Sequence, residues 1–278
     1  NIYFVDSKDV DDLYPVGCYH DPHGDEIGHI PYTDSYFTAL GTMVARRVYG
    51  LSSSPFKVIV LDCDNTLWAG VIGEDGLHGI EIEPQRREFQ EALISQKDAG
   101  KILCLASKNE EADALPAFSE RDDMILRREH LVSWRINWNP KSENIRSLAE
   151  ELSLGLDSFI FIDDNPVECA EVRLNCPEVL TVQCPKNVEE LPALIKHLWA
   201  FDLLSTTEAD RKRTQMYQQN IERSKLEKTA GGFLEFLAGL DLQVDIHEAR
   251  SEEIPRVSQL TQRTNQFNTT TIRRSESD

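Results

Sequence analysis

Three runs of four apolar residues, Val58–Leu61, Ile102–Leu105 and Phe159–Ile162, each stop abruptly at polar residues. Runs this short, apolar at every position and bounded by turn signals, predict strands buried on both faces of a parallel sheet. Val179–Val182 predicts a fourth strand. Between the runs lie amphipathic stretches, Gln85–Ala99 and Lys141–Leu152, with Gly100 and Gly155 where the helices should stop. Strands alternating with helices imply a doubly wound α/β fold, in which ligands bind beyond the carboxyl ends of the strands.

The flanks read differently. Residues 1–55 are Pro- and Gly-punctuated up to Tyr32, then helical from Thr33 to Tyr49, where Tyr36, Leu40, Met43, Val44 and Val48 form one apolar stripe for packing. The linker Ser52-Ser53-Ser54-Pro55 closes that segment, and residues 56–200 form the expected catalytic core. Residues 201–278 predict a charged helix over Glu208–Lys228, an alternating strand Leu242–Ile246, a helix Ser251–Thr264 and a tail rich in Asn and Thr. This last region reads as a helical linker leading into a further α/β domain, and the opening at Asn1 fits a piece excised from a longer polypeptide.

Composition narrows the partners. The formal charge of −19, from 48 acidic and 29 basic residues, sets up a field that repels nucleic acid and anionic membranes. No apolar run approaches the ~20 residues that span a bilayer, and the start lacks a signal-peptide pattern. Six cysteines without a C-x-x-C pair or regular spacing suggest neither zinc nor a disulfide framework, which fits a reducing cytoplasm. An anionic substrate is compatible with such a chain only where metal ions and local lysines reverse the field.

The strand ends supply that reversal. Asp62 and Asp64 follow the first strand, with Thr66 just beyond; Ser107, Lys108 and Asn109 follow the second; Asp163 and Asp164 end the third; and Lys141 opens the helix before it. A parallel sheet brings these ends to one edge, so four carboxylates converge with a hydroxyl and an ammonium group. Carboxylates packed together repel one another unless a cation intervenes, and hard oxygen ligands beside phosphate favour Mg²⁺. A single strand-end Asp is more often a helix cap or turn former, but four motifs at matching strand ends are far more specific. Asp62, Ser107, Lys141 and Asp163 are spaced by 45, 34 and 22 positions, enough for crossover helices but not for an inserted lid domain. Only a glycine-rich flap, Trp68–Gly79, is expected to cover the site.

The four motifs resemble the haloacid dehalogenase superfamily, and the wording around them resembles its FkbH-like family. The stretches carrying this are Val58–Trp68, Trp134–Asn144 and Phe161–Glu168, with Gly28–Thr33 and Asn265–Asn268 as flanking similarities. The resemblance implies an α/β core without a large cap domain. It also implies loading of a glyceryl or related C3 acyl unit, drawn from 1,3-bisphosphoglycerate, onto the phosphopantetheine thiol of an acyl carrier protein in polyketide biosynthesis. By that resemblance Asp62 is the phosphoryl acceptor and a metal ligand. Asp64 is the general acid/base and lends its backbone carbonyl to the metal, and Asp163 or Asp164 completes the set. Ser107 and Lys141 then hold phosphoryl oxygens.

Two assignments stay double. Cys63 is either an acyl-carrying nucleophile or a small buried apolar residue, since adjacent carboxylates raise a thiol pKa. Asn137, with Trp134 and Trp138, either shapes an acyl pocket or belongs to the core. An acidic carrier needs a basic landing site, for which Arg127, Arg128 and Arg135 are preferred over Arg211-Lys212-Arg213. A plain capless Mg²⁺-dependent phosphatase using Asp62 alone is the alternative.

Overall fold

In the computed structural model the described residues are 4–202, 213–229, 250–251, 253–263 and 275. The chain forms two compact units, 1–224 and 225–278. The first opens with three helices, α1 (Ser7–Leu13), α2 (Pro22–Gly28) and α3 (Asp34–Ser52). It continues with β1 (Val58–Leu61), α4 (Ile72–Asp75), α5 (Pro84–Asp98), β2 (Ile102–Ser107), α6 (Glu111–Ala114), α7 (Ala117–Glu120) and β3 (Leu131–Ile136). Then follow α8 (Lys141–Leu152), β4 (Phe159–Asp163), α9 (Pro166–Asn175), β5 (Leu180–Gln183) and α10 (Leu191–His197). Helix α11 (Arg213–Thr229) occupies most of the charged stretch predicted as helix, and α12 (Ile254–Arg263) lies in the second unit. The strand predicted at Leu242–Ile246, the tail 265–271 and the pair Arg211-Lys212 lie outside the described residues.

Among the described residues the four strand pairings are all parallel, in the order β3-β2-β1-β4-β5. The chain therefore winds outward in both directions from β1, and the reversal falls between β1 and β4, where such sheets leave a crevice. Alternation along the strands sorts their side chains into two layers. Ile59, Leu61, Leu103, Leu105, Ile160 and Ile162 enter one core, while Val58, Val60, Ile102, Cys104, Phe159 and Phe161 enter the other, which also takes Ile145 and Leu148 of α8. Continuing that parity past β1 carries Cys63 into the layer of Leu61, and Asp62 to the opposite side of the chain from it.

Strand β3 was not among the sequence expectations. Its sequence, LVSWRI, interrupts apolar positions with Ser133 and Arg135, as an edge strand paired on one side can. Helix α8 ends at Ser153 in the left-handed conformation (φ 53°) rather than at Gly155, which instead precedes a 3₁₀ turn. The stripe expected on α3 splits: Met43 packs with Val10 and Ala39 beside Tyr36 and Leu40, whereas Val44 and Val48 are exposed. Helix geometry explains the split, because positions 36, 40 and 43 share one face and 44 and 48 turn progressively away from it.

The flap between β1 and α5 is tied by an antiparallel bridge from Ala69 to Glu81 and folds around the short helix α4. A Cβ on Gly79 would lie 2.2 Å from the backbone oxygen of Asp75. Gly79→Ala is therefore expected to cost about 1–3 kcal/mol, lowering the melting temperature by several degrees. By contrast Gly41→Ala, mid-helix in α3 with nothing within 4 Å of the added atom, should raise it. Thermal unfolding of both variants checks the pair; equal shifts would contradict the flap packing.

Candidate active site

Asp62 directly follows β1, its backbone N–H held by Ile162 O at 3.0 Å, and its carboxylate is buried. Asp62 Oδ1 accepts from Ser107 Oγ at 2.9 Å and from Lys141 Nζ at 2.5 Å. Lys141 is the first residue of α8, and its ammonium also reaches Ala106 O (2.6 Å), Asp163 Oδ2 (3.1 Å) and Glu168 Oε2 (3.1 Å). Burial works against the charge of Lys141, but attraction to Asp62, Asp163 and Glu168 outweighs it and holds the pKa above the ordinary lysine value. This lysine stays an ammonium ion across the physiological range.

Oxygens of Asp62, Asp163 and Asp164 all lie within 4.8 Å of one another. Burial and the charge of Asp62 push Asp163 up to about 7 and Asp164 up to about 6. Those rises come first from burial of the carboxylates and then from repulsion by the neighbouring Asp62. Around Lys141 four carboxylates (Asp62, Asp163, Asp164, Glu168) face two ammonium groups (Lys108, Lys141), leaving a formal −2. One divalent cation balances it, and an all-oxygen donor set on one crevice suits Mg²⁺, which takes few protein ligands and completes its shell with water.

Asp64 is arranged differently. Its Oδ1 accepts from Trp68 Nε1 (2.9 Å) and Ile72 N (3.1 Å), and its Oδ2 from Asn109 Nδ2 (3.0 Å). The carboxylate of Asp64 is thus engaged by the flap and by the loop after β2, outside the three-carboxylate cluster. Asn109 also donates to Ser107 Oγ at 3.2 Å, connecting Asp64 to Asp62 through two neutral groups. Thr66 is buried, and its hydroxyl has no hydrogen-bond partner among the described residues, a polar atom left over in the turn between Asp62 and the flap.

Lys108 pairs with Glu168 Oε1 at 2.9 Å and is more exposed than Lys141, so it lies at the rim. Glu168 joins the two lysines from the first turn of α9; sequence reasoning gave it no role, although it sits four residues after Asp164. Sequence reasoning also passed over Arg86 and Gln90 on α5. Arg86 Nη2 donates to Asn65 O (2.7 Å), and Gln90 Nε2 to Leu67 O (2.9 Å), so α5 braces the acidic turn from behind.

Cys63 is fully buried within the Leu61–Leu67 layer. Burial, and then the charge of Asp62, push its thiol well above the usual range. Asn137 accepts from Asn139 N and Asn144 Nδ2, both at 3.0 Å, and so shapes the loop after β3; Trp138 is exposed and donates to Glu110. The three arginines preferred as a landing site are engaged separately. Arg127 bonds the carbonyls of Arg121 and Asp122, Arg128 lies over the Trp134 ring at 5.0 Å, and Arg135 bonds Ser147 and Glu151.

No family model and no curated protein matches the chain. Among solved structures, the N-terminal part of the Bacteroides fragilis protein BF1531, containing a phosphatase domain and complexed with Mg, aligns with a TM-score of 0.60 and 27% identity. The alignment covers 71% of this chain and 53% of that one, so the chain spans about half the length of that structure. A Legionella pneumophila protein assigned to subfamily III A of the HAD superfamily aligns at 15% identity over 68% of this chain and 99% of its own. Its TM-score is 0.36. Among the described residues no helix is long and apolar enough to cross a membrane.

Proposed function

We propose that this haloacid-dehalogenase-type fold serves a Mg²⁺-dependent phosphoryl-transfer enzyme whose nucleophile is Asp62. The observation that carries the reading is the pairing of Asp62 with Ser107 and Lys141 inside a carboxylate cluster that lacks two positive charges. The Mg-bound phosphatase domain of the Bacteroides protein supports it. Lys141 and Ser107 fix one oxygen of Asp62 and stand where phosphoryl oxygens would arrive, so they hold the transferring group in line. A carboxylate oxygen of Asp62 attacks phosphorus, the bond from phosphorus to the leaving oxygen breaks, and an aspartyl phosphate forms. Asp64, released from its flap contacts, delivers the proton to that leaving oxygen and then takes one from the water that hydrolyses the intermediate. Bound Mg²⁺, held by Asp62, Asp163 and Asp164, would neutralise the charge that keeps a phosphate out of so acidic a site.

The finer reading is transfer of a glyceryl or related C3 acyl unit from 1,3-bisphosphoglycerate to the pantetheine thiol of an acyl carrier protein, supported by the resemblance of the Val58–Trp68, Trp134–Asn144 and Phe161–Glu168 stretches to FkbH-like proteins. The burial of Cys63 favours a version without an acyl-cysteine. The carrier thiol attacks the acyl-phosphate carbonyl, phosphate departs, and Asp62 removes the remaining phosphate. The two routes separate by intact mass after incubation with Mg²⁺, 1,3-bisphosphoglycerate and carrier. Cys63→Ala is expected to keep phosphate release within about threefold of the parent, since removing a small buried side chain leaves the crevice intact. An acyl adduct on the parent that is absent from Cys63→Ala would restore the cysteine route.

A further inference from the structure

The opposite edge of the sheet holds a second cavity. Lys101 directly precedes β2, whose far end is Ser107, so the strand itself separates this amine from the phosphoryl site. A strand of six residues spans about 20 Å, which puts the two beyond direct contact. Lys101 is only 2% exposed, yet it lines a cleft of about 220 Å³ walled by Tyr49, Phe56 and Trp199 and edged by Ser53 and Ser54.

The carboxylate in this cleft is paired elsewhere. Asp202 lies on its wall, but both oxygens of its carboxylate are engaged by Arg46, with Nε at 2.5 Å and Nη2 at 2.6 Å. Among the described residues Asp202 is thus taken up by Arg46, which leaves Lys101 as the cation that lines the cleft, in a chain whose overall charge is −19. Lys101 Nζ donates to Gln96 Oε1 and lies 5.6 Å from the centre of the Phe201 ring. Gln96 is itself fixed, since its Nε2 donates to Phe201 O at 3.0 Å. An ammonium group carries three protons and Gln96 accepts one, so Lys101 retains capacity toward the cleft. Burial lowers its pKa to about 8, with Asp202 opposing, so the charge is held at a cost that an incoming anion would relieve.

We propose that this cleft binds a small monocarboxylate with a flat apolar body, its carboxylate paired to Lys101 and its body packed against Phe56 and the tilted Tyr49–Trp199 ring pair, whose centroids lie 5.9 Å apart. Size and charge select this class. Drug-sized ligands occupy roughly 300–1,000 Å³, so the cavity takes something smaller. A phosphate dianion ordinarily draws on several cations or on a fork of guanidinium donors, and here Arg46 is already committed to Asp202. A neutral ligand would bring Lys101 no charge to pair with beyond the Arg46-bound Asp202.

The test uses the full chain and benzoate as probe, with benzamide and inorganic phosphate as comparisons, followed by calorimetry and tryptophan fluorescence. Benzoate should bind saturably. Lys101→Met should weaken it about 10–100-fold, the value of one buried charge-assisted contact, and benzamide should be weaker by a similar factor. Unchanged phosphatase turnover in that variant would show that it is folded. Should Lys101→Met not fold, the parent protein still decides: bound benzoate should slow reductive methylation of Lys101 at least several-fold by peptide mass. Equal benzoate affinity in parent and variant, no benzoate binding, preference for phosphate, or an unaltered methylation rate would each overturn the assignment.

Discussion

Asp62→Asn is expected to reduce turnover of p-nitrophenyl phosphate in Mg²⁺ by at least about three orders of magnitude, because a neutral amide cannot form the aspartyl phosphate. Asp62 is also one of the three carboxylates that would hold Mg²⁺, so turnover is compared at saturating Mg²⁺, where the loss should fall on kcat because Ser107 and Lys141 remain to hold phosphate. The fold should survive. Lys141 keeps Ala106 O, Asp163 and Glu168 as partners after the change, so no buried charge is left alone. The replaced carboxylate is itself strained: burial raises its pKa, against the attraction of Lys141. Retained turnover in a folded variant would move the nucleophile elsewhere. Steady-state kinetics alongside thermal unfolding separates a dead enzyme from an unfolded one.

What the sequence made legible follows from chain geometry. The buried runs and their polar ends placed Asp62, Ser107, Lys141 and Asp163 together because parallel strands share one carboxyl edge, and the structure brings these side chains into contact. The position of Cys63 was also implicit, since residues 59, 61 and 63 alternate onto one face. That alternation is ordinarily counted inside a strand and not carried past its last residue. Strand β3 escaped notice because an edge strand pairs on one side only and tolerates Ser133 and Arg135. Glu168, Arg86 and Gln90 were hidden for another reason. Each acts across a tertiary contact, Gln90 on Leu67 and Glu168 on Lys108 and Lys141, and no local periodicity encodes such a partner. The same holds for the contacts of Arg127, Arg128 and Arg135: each guanidinium is held by its own acceptor or ring, which proximity in sequence does not show.

Mg²⁺ is expected to stabilise the protein strongly, and Asp164→Asn to remove that response while making the metal-free protein more stable. The sign comes from linkage. Asp164 has a folded pKa raised to about 6 by burial and by Asp62, above the unfolded value near 4, so the folded state binds the extra proton between these limits. Stability from this group is therefore present at low pH and lost as pH rises through about 6. The full shift corresponds to roughly 3 kcal/mol, and partial exposure of Asp164 to water reduces this to about 1 kcal/mol. Asparagine carries no charge to repel Asp62, so the metal-free variant at pH 7 should melt about 2–4 °C higher than the parent and lose less stability between pH 4 and 7. Adding Mg²⁺ at a hundredfold excess over its dissociation constant should stabilise the parent by about 2.7 kcal/mol, and the variant much less, because one of three carboxylates is gone. Thermal unfolding of both proteins with and without Mg²⁺, repeated across that pH range, reads all four quantities. An equal Mg²⁺ shift in both proteins, or a metal-free variant less stable than the parent, would mean that these carboxylates are balanced without an ion.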